Sequence, residues 1–464
     1  MAELTKTNKI LDGVIWKGIL SFFFPILLGT FFQQLYNTVD AIVVGQFLGK
    51  QALAAVGGGT STIINLLIGF FTGLSSGASV VISQRFGSGK LDRVSRAIHT
   101  AIALSIVGGI IISVVGFAMT DFSLALIDTP EDVVPLASLY MKIYFAGSLT
   151  LVVYNMASGI FRALGDSRHP LYFLIAGCGT NIVLDVLFVG FIGMGVEGAA
   201  IATVFSQLIS VVLSLIWLRK LDPAYRLSFR KIAFSKSEFV DTMRIGIPAG
   251  IQSIMYTISN LIIQTNINSF GTDTAAAWSA YGKIDAIFWM IINAFGIAMT
   301  TFVGQNYGAG KFDRVKKGVN QTLGMSGVVT ILITLLFCFF GRYAYMLFTS
   351  DSAVIDIGMQ MLLFIAPTWI TYIAIEVLSG AIRGAGKSLI PTVISITGVC
   401  LLRIVWIEAA TSVWNSIFAV LAAYPVTWIV TSLLFFVYYK KGSWLSDRHH
   451  ELKFKWLRLT HHKR

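Results

Sequence analysis

The chain has 464 residues, of which 55% are hydrophobic and 12% charged, and it carries a formal net charge of +12. Soluble domains have about 25% charged residues, so this composition excludes a soluble protein and indicates an integral membrane protein. The three cysteines lie in apolar runs at unrelated spacings, which predicts neither a disulfide framework nor a metal site.

Twelve apolar runs long enough to cross a bilayer as helices follow one another along the chain. They lack two-residue alternation, so we predict an all-α membrane protein with twelve transmembrane helices rather than a barrel. Basic residues collect in alternate loops, such as Arg85 to Arg96, whereas the loop around Glu131 is acidic. This pattern points to membrane topology rather than to nucleic acid, and with twelve spans it places both termini in the cytoplasm.

The first span contains an unusual polar stretch, QQLYNTVDAIV, which begins at Gln33 and includes Gln34. Gln33, Tyr36, Asn37 and Asp40 recur at steps of three and four residues, so they share one face of the helix. An ionisable residue at membrane depth costs on the order of a few kcal/mol, so this face is expected to point into the protein. We expect Asp40 to be functional and the other four residues to line or support a substrate cleft.

Two later spans also carry polar residues on a single face. Asn181 and Asp185 are four residues apart in the fifth span, and Thr203 and Gln207 are four apart in the sixth. With Asp40, these carboxylates, the amide and the hydroxyl could share a proton, because burial and repulsion disfavour two ionised carboxylates. They could equally supply oxygen ligands to a sodium ion. Either use predicts a coupling-ion site; the alternative is that the groups only bond one another between helices.

Two motifs occur twice along the chain at the same spacing. ISQRFGSGKLDRV at 82–94 matches VGQNYGAGKFDRV at 303–315, and SGIFRALGDSRHP at 158–170 matches SGAIRGAGKSLIP at 379–391. Both pairs are 221 residues apart, so the chain is predicted to be a duplicated six-helix unit. Because six is even, the two pseudo-symmetric bundles form a parallel repeat, an architecture typical of alternating-access transporters.

The glycine-lysine stretches in these motifs invite comparison with a phosphate-binding loop. GAGKS at 384–388 follows a predicted membrane helix instead of a strand and has Ala381 where the motif requires glycine. GSGKLD lacks the required serine or threonine. We therefore reject ATP binding, expect no cofactor, and expect an ion gradient of H⁺ or Na⁺ to supply the energy.

The duplication also sets the expected domain boundaries. They are an N-lobe with six spans at 1–220, a cytoplasmic linker at 221–238, a C-lobe with six spans at 239–440, and a basic cytoplasmic tail at 441–464. The first span of each lobe contains a proline, Pro25 or Pro248, which permits a bend. A packing kink without function explains either proline equally well.

The second half does not repeat the polar constellation of the first. Its own charged positions are Lys283, Asp285, Glu376, which aligns with Asn155 of the first half, and Arg403. We interpret these as a charge-balanced internal network, with a link to substrate or ion as the alternative. Asn155 is grouped with the residues that support a substrate cleft.

Taken together, these features resemble the prokaryotic branch of the multidrug and toxic compound extrusion (MATE) family. The resemblance covers nearly the whole chain: two six-helix lobes, an Asp within QLYNTVDAIVVGQFLG, and the pattern Q-x-x-G-x-G-K-x-D-R-V after the second and eighth spans. In prokaryotic members the family pattern implies a cation site in the N-lobe. The matching residues here are Asp40, Asn181, Asp185 and Thr203.

The C-lobe departs from part of this family. Some members have acidic residues in the seventh and tenth spans that bind sodium, whereas here the seventh span has Gln252 and Tyr256 and no carboxylate beyond Asp241. Glu376 in the tenth span is only a partial substitute. The sodium site of the C-lobe is therefore not expected to be complete.

The resemblance implies a secondary active efflux antiporter in a prokaryotic plasma membrane, not an enzyme. Its partners would be the lipid bilayer and small amphipathic or cationic substrates, exported in exchange for protons or sodium, with no nucleic acid and with the monomer as the functional state. Asp40 would act as the switch: loaded with the ion it favours one arrangement of the lobes, and ionised it helps to hold a cationic substrate.

Three other functions compete with this prediction. A flippase or exporter of a lipid-linked oligosaccharide or similar amphiphile would require arginine or lysine along an intramembrane cavity, and only Lys283 and Arg403 qualify. An enzyme is disfavoured because no histidine lies within a predicted span and no nucleophile-base spacing appears. A channel is disfavoured by the duplicated but asymmetric polar positions.

Overall fold

The computed structural model describes residues 10–414 and 416–445, and these residues form an almost entirely helical protein, as predicted. They make two compact units, one ending at Leu261 and the other beginning at Ile262. The helices of the first unit are α1 (Ile15–Leu48), α2 (Lys50–Gly57), α3 (Gly59–Gly87), α4 (Leu91–Leu126), α5 (Val134–Ala146), α6 (Ser148–Ala163), α7 (Arg168–Asp185), α8 (Val196–Arg219) and most of α9 (Lys236–Asn268).

The second unit repeats this helical pattern. Its helices are α10 (Thr272–Gly308), α11 (Phe312–Met346), α12 (Ser352–Ile365), α13 (Trp369–Gly384), α14 (Leu389–Ser395), α15 (Leu402–Val413), α16 (Ile417–Leu421) and α17 (Ala423–Lys441). A π-helical segment follows α7 at Val186–Phe191, and another joins α14 to α15 at Ile396–Leu401.

Ten helical segments in the described part of the chain are long and apolar enough to cross a membrane. If α5 and α6, which meet at a bend of 49°, together form one span, the number of candidate spans rises to eleven. Helix α9 has 33 residues, about 50 Å at 1.5 Å per residue, but begins with charged turns. Twelve spans and cytoplasmic termini therefore stay predictions, and residues 446–464 of the expected basic tail lie outside the described residues.

The helix boundaries confirm the duplication. Helices α4 and α11 begin at Leu91 and Phe312, and α6 and α13 begin at Ser148 and Trp369, so both pairs are separated by the 221 residues expected from the motifs. Helices α6 and α13 also have the same length of 16 residues. The two halves thus place their helices at the same spacings along the chain.

Glycines of the repeated motifs lie just after the ends of membrane helices. Gly89, Gly165, Gly310 and Gly386 have φ angles of 69°, 91°, 74° and 88°, in the left-handed region that favours glycine. The residue after each glycine donates its N–H to the carbonyl five residues before it, at 2.8 to 3.2 Å. This is the bond of a Schellman C-cap, so helix termination accounts for the glycines that resembled a phosphate loop.

Close glycine contacts join α3 to the first half of α9. A Cβ added to Gly73 would lie 2.2 Å from the backbone nitrogen of Gly250, and one added to Gly77 would lie 2.6 Å from that of Gly246. Small residues at such positions let two membrane helices approach closely. This packing places the start of α9 in the first unit, whereas the predicted C-lobe boundary at 239 describes the sequence repeat.

Charged side chains reinforce the same junction. The carboxylate of Glu238 in α9 is buried and accepts hydrogen bonds from Nε of Arg85 at 3.1 Å and from Nε of Arg93 at 2.7 Å. Arg85 also pairs with Asp241. The two arginines, which mark a basic loop in the sequence, therefore also bind the α3–α4 turn to α9.

Candidate functional site

Three helices of the first unit bring together the predicted coupling residues. Asp40 lies late in α1, Asn181 and Asp185 occupy the last turns of α7, and Thr203 lies in α8. Helix α7 packs against both α1 and α8, which places these polar faces around one interior position. Asp185 is the last residue of α7 before the π-helical segment, a local widening that occurs frequently at functional sites.

The four side chains are all buried. Their exposed fractions are 7% for Asp40, 0% for Asn181 and Asp185, and 1% for Thr203. The carboxyl groups of Asp40 and Asp185 interact directly with each other, and Asn181 lies one turn before Asp185 on the same face of α7. These four side chains therefore point towards the interior of the first unit, as the helical spacing predicted.

Several polar atoms of this group have unused hydrogen-bonding capacity. Among the described residues, Oδ1 of Asp40, both carboxyl oxygens of Asp185 and both amide atoms of Asn181 have no hydrogen-bond partner. The hydroxyl of Thr203 donates to the carbonyl of Ala199 at 3.0 Å, which leaves its oxygen able to accept or to coordinate. Each buried polar group left unsatisfied costs about 1–3 kcal/mol, so the arrangement is suited to a ligand that supplies the missing interactions.

The oxygen atoms present fit a proton or a hard monovalent cation. A proton placed between Asp40 and Asp185 would turn a repulsive carboxylate pair into a hydrogen bond. A sodium ion would find carboxylate, amide and hydroxyl oxygens on these residues. No group of three His, Cys, Asp or Glu side chains in the described ranges is arranged to hold a metal ion.

Tyrosines surround the carboxyl pair. The hydroxyl of Tyr36 in α1 interacts with Thr203, and Tyr144 in α5 interacts with Gln207, which also accepts a hydrogen bond from Thr150 at 3.4 Å. Tyr140 stacks on Tyr144 with ring centroids 6.1 Å apart. Sequence reasoning missed Tyr140 and Tyr144, although their spacing of four residues puts both on one face of α5.

The remaining polar residues of the first span lie farther out. Gln33, Gln34 and Asn37 are exposed and Tyr36 is half-buried, so the polar face of α1 runs from an accessible end to the buried Asp40. Asn155 in α6 is half-buried, and its backbone carbonyl accepts a hydrogen bond from Ser75 at 3.0 Å. Gln33, Gln34 and Asn37 are therefore not part of the buried group of residues around Asp40 and Asp185.

In the second unit, two residues of the predicted charge network, Lys283 and Asp285, do not pair with each other in the part of the chain that the structure describes. Lys283 is exposed, whereas Asp285 is half-buried and accepts hydrogen bonds from neutral donors. Residues two positions apart on a helix do not face each other, which explains why Lys283 does not balance Asp285. Glu376 in α13 packs against Gly296 of α10, where an added Cβ would lie 2.1 Å from Oε1 of Glu376, and it interacts electrostatically with Arg383.

Comparisons with known proteins agree with this duplicated fold. The family model MatE matches residues 25–187 and again residues 248–407. The first match contains Asp40, Asn181 and Asp185 and ends before Thr203, and the second contains Asp285 and Glu376.

Two relatives that match nearly the whole chain come from Bacillus subtilis. The chain is 30% identical over 440 residues to the probable multidrug resistance protein YpnP of Bacillus subtilis (strain 168), covering 95% of this chain and 98% of that one. It is 28% identical over 445 residues to the probable multidrug resistance protein YoeA of the same strain, covering 94% and 95%. A crystal structure of a MATE protein in the bent conformation matches with a TM-score of 0.88 and 22% identity, over 96% of this chain and 99% of that chain.

Proposed function

The chain belongs to the MatE family of multidrug efflux transporters of the prokaryotic plasma membrane, and from that premise we propose that it is a secondary active antiporter. It exports organic cations or amphipathic drugs in exchange for protons or sodium ions. Asp40, Asn181, Asp185 and Thr203 form the coupling-ion site.

The observation that supports this proposal best is the buried pair of Asp40 and Asp185. Two facing carboxyl groups with unpaired oxygens in the interior of a membrane protein are strongly unfavourable when both are ionised. A bound proton or sodium ion removes most of that penalty. The ion-free state is therefore the one that gains most from a cationic substrate.

This arrangement gives a physical basis for exchange. If the ion and the cationic substrate both lower the energy of the same negatively charged group, each weakens the binding of the other by the same factor. Substrate entering from the cytoplasm displaces the ion, and the ion entering from outside later displaces the substrate. The tyrosine hydroxyls of Tyr36 and Tyr144 and the amide of Gln207 support the carboxyl pair without adding charge.

A flippase or exporter of an anionic amphiphile is the runner-up. Such a cargo needs positive charge along its path. Asp40 and Asp185 instead interact with each other and with the neutral hydroxyl of Tyr36. The carboxyl pair would repel an anion and so favours a cation.

The test is transport of ethidium in proteoliposomes. With an imposed proton gradient, then with an imposed sodium gradient, wild-type protein is expected to drive ethidium movement under at least one of them, and Asp40→Asn is expected to abolish it. Asp273→Asn, an exposed change in α10, serves as the matched control and should transport normally. Absence of ethidium transport by the wild type under both gradients would overturn the proposal in favour of the flippase.

A further inference from the structure

The linker between α8 and α9 is bound to buried side chains of α4 at two places. The backbone N–H of Ser228 donates to Nε2 of His99 at 3.0 Å. The hydroxyl of Thr100 accepts from the N–H of Ser235 at 3.0 Å and donates to the carbonyl of Ala233 at 3.4 Å. His99 and Thr100 are at most 3% exposed, so the linker is anchored to the interior of the first unit.

A phenylalanine points outwards beside each of these attachments. Phe229 directly follows the first attachment, and Phe234 lies within the second. Phe229 is 53% exposed and Phe234 50%, although Leu227 of the same linker is only 2% exposed in the core of the first unit. Because the backbone at these points is bonded to buried side chains, both rings are held at the outer surface.

One of these rings forms part of a groove at the start of α9. Phe234, Lys236 and Phe239 line this groove, which has a volume of about 320 Å³. The rings of Phe234 and Phe239 meet edge to face with centroids 5.4 Å apart, and Phe239 packs against the core of the first unit. The exposed Lys236 lies beside this apolar wall. The groove thus offers an apolar surface and a positive charge to the same ligand.

Positive charge surrounds the groove and is not neutralised by the protein. Residues 219–237 contain a single acidic side chain, Asp222, and six basic ones: Arg219, Lys220, Arg226, Arg230, Lys231 and Lys236. All six are exposed, and in the part of the chain that the structure describes none of them pairs with a carboxylate. The guanidinium carbon of Arg219 instead lies 5.3 Å from the ring centroid of Phe229. An anionic partner would therefore meet these charges without a competing ion pair.

The position of this surface favours a lipid as the partner. The linker follows α8, a helix long and apolar enough to cross a membrane, and leads into α9. Exposed phenylalanines together with lysine and arginine are typical of segments at a membrane surface, where rings enter the acyl boundary and cations meet anionic headgroups. A soluble anion would leave the rings in water, and a zwitterionic lipid would leave the charges unbalanced.

We propose that the linker binds an anionic phospholipid of the leaflet that it faces, which its basic charge predicts to be the cytoplasmic one. An acyl chain lies against Phe234 and Phe239, the phosphate faces Lys236, and the neighbouring basic side chains add attraction. Bound lipid fixes the linker between the two sequence repeats at the membrane surface. The lipid-binding surface consists of Phe229, Arg230, Lys231, Phe234, Lys236 and Phe239.

The test measures binding of palmitoyl-oleoyl phosphatidylglycerol to the purified full chain in detergent by native mass spectrometry, which counts bound lipids and also gives the oligomeric state. The reference is phosphatidylcholine with the same acyl chains. The wild type is expected to bind phosphatidylglycerol about tenfold more tightly. Equal affinities for the two lipids would overturn the proposal. So would displacement of phosphatidylglycerol by an equal concentration of glycerol phosphate, which has the anionic group without acyl chains.

A pair of double variants separates this surface from general attraction to basic side chains. Lys231→Gln combined with Lys236→Gln is expected to weaken phosphatidylglycerol binding by roughly tenfold to thirtyfold. The matched control combines Lys316→Gln with Lys317→Gln, which removes two exposed lysines of α11 on the side also predicted to be cytoplasmic, and its affinity should be unchanged. An equal loss in both double variants would contradict a site on the linker.

The apolar part of the surface is tested separately. Phe234→Gln keeps an uncharged, exposed side chain but removes the ring, and it is expected to weaken phosphatidylglycerol binding by about fivefold. Phe348→Gln, at a position that is 53% exposed after α11, is the control and should bind normally. Unchanged binding by Phe234→Gln would overturn the proposal. A change from dimer to monomer in that variant with unchanged lipid binding would identify a second copy of the chain as the occupant of the groove instead.

Discussion

Replacing Glu238 with glutamine should destabilise the protein markedly. Glu238 has 1% of its side chain exposed and accepts from Arg85, which is 11% exposed, and from Arg93, which is 28% exposed. Glutamine keeps the volume and one acceptor but removes the charge that both guanidinium groups face. Removing one partner of a buried ion pair costs about 3–5 kcal/mol. Because Arg85 keeps Asp241 and Arg93 is partly solvated, we expect the lower end, about 3 kcal/mol.

The assay is thermal unfolding in detergent, followed by intrinsic fluorescence. Glu238→Gln should lower Tm by several degrees, and Glu238→Asp, which keeps the charge on a shorter side chain, should lower it less. Glu131→Gln, at an exposed position before α5, is the control and should leave Tm unchanged. An unchanged Tm for Glu238→Gln would refute the reasoning, because the ion cluster would then contribute nothing to the attachment of α9.

Two further changes test the packing and the ion site. Gly73→Leu should destabilise by about 1–3 kcal/mol, because a Cβ there would lie 2.2 Å from the backbone of Gly250. Gly179→Ala, where nothing lies within 4 Å of an added Cβ, is its control in the same unfolding assay; equal Tm values would contradict the close crossing. Thr203→Val removes a hydroxyl oxygen and should reduce sodium-driven transport severalfold while Thr203→Ser retains it. Equal sodium-driven rates in the two variants would exclude Thr203 as a sodium ligand.

Helical periodicity singled out the residues that we propose as the coupling site, because a membrane span makes the periodicity of polar residues informative. A polar residue in a span must face the protein interior, so spacings of three and four were sufficient to single out Asp40 and the pair Asn181 and Asp185. Periodicity within one helix cannot say which helices touch. That Asp40 meets Asp185 depends on the packing of α1 against α7, which the family resemblance implied and single-helix patterns did not.

The duplication was equally accessible to sequence reasoning, since a spacing of 221 residues in two motifs fixes equivalent helices and their glycine turns. The charged residues of the second half were harder to interpret from sequence. Lys283 and Asp285 are neighbours in sequence, which suggests a charge pair, but a helix turns them to different sides. The donors to Asp285 are instead Tyr281 and Trp289, each four residues away on the same helix, a spacing that the search for charged partners overlooked.

The functional surroundings that sequence patterns missed are mainly aromatic side chains. Tyr140 and Tyr144 in α5, like the rings around Asp285, have the same spacing and hydrophobicity as ordinary core residues. Only the tertiary arrangement separates a ring that fills space from one that orients a carboxylate. The same holds for the close contacts of Gly73 and Gly77 with the start of α9, which join helices far apart in the sequence.

The most direct test of the coupling site measures what the protein releases when a cationic substrate binds. Saturating tetraphenylphosphonium is added to the purified protein in weakly buffered solution, with a pH indicator in one arm and preloaded radioactive sodium in the other. Competition at the carboxyl pair predicts that the wild type releases about one proton or one sodium ion per substrate bound and that Asp40→Asn releases none. Release by Asp40→Asn equal to that of the wild type would contradict the assignment of Asp40 and Asp185 as the coupling site.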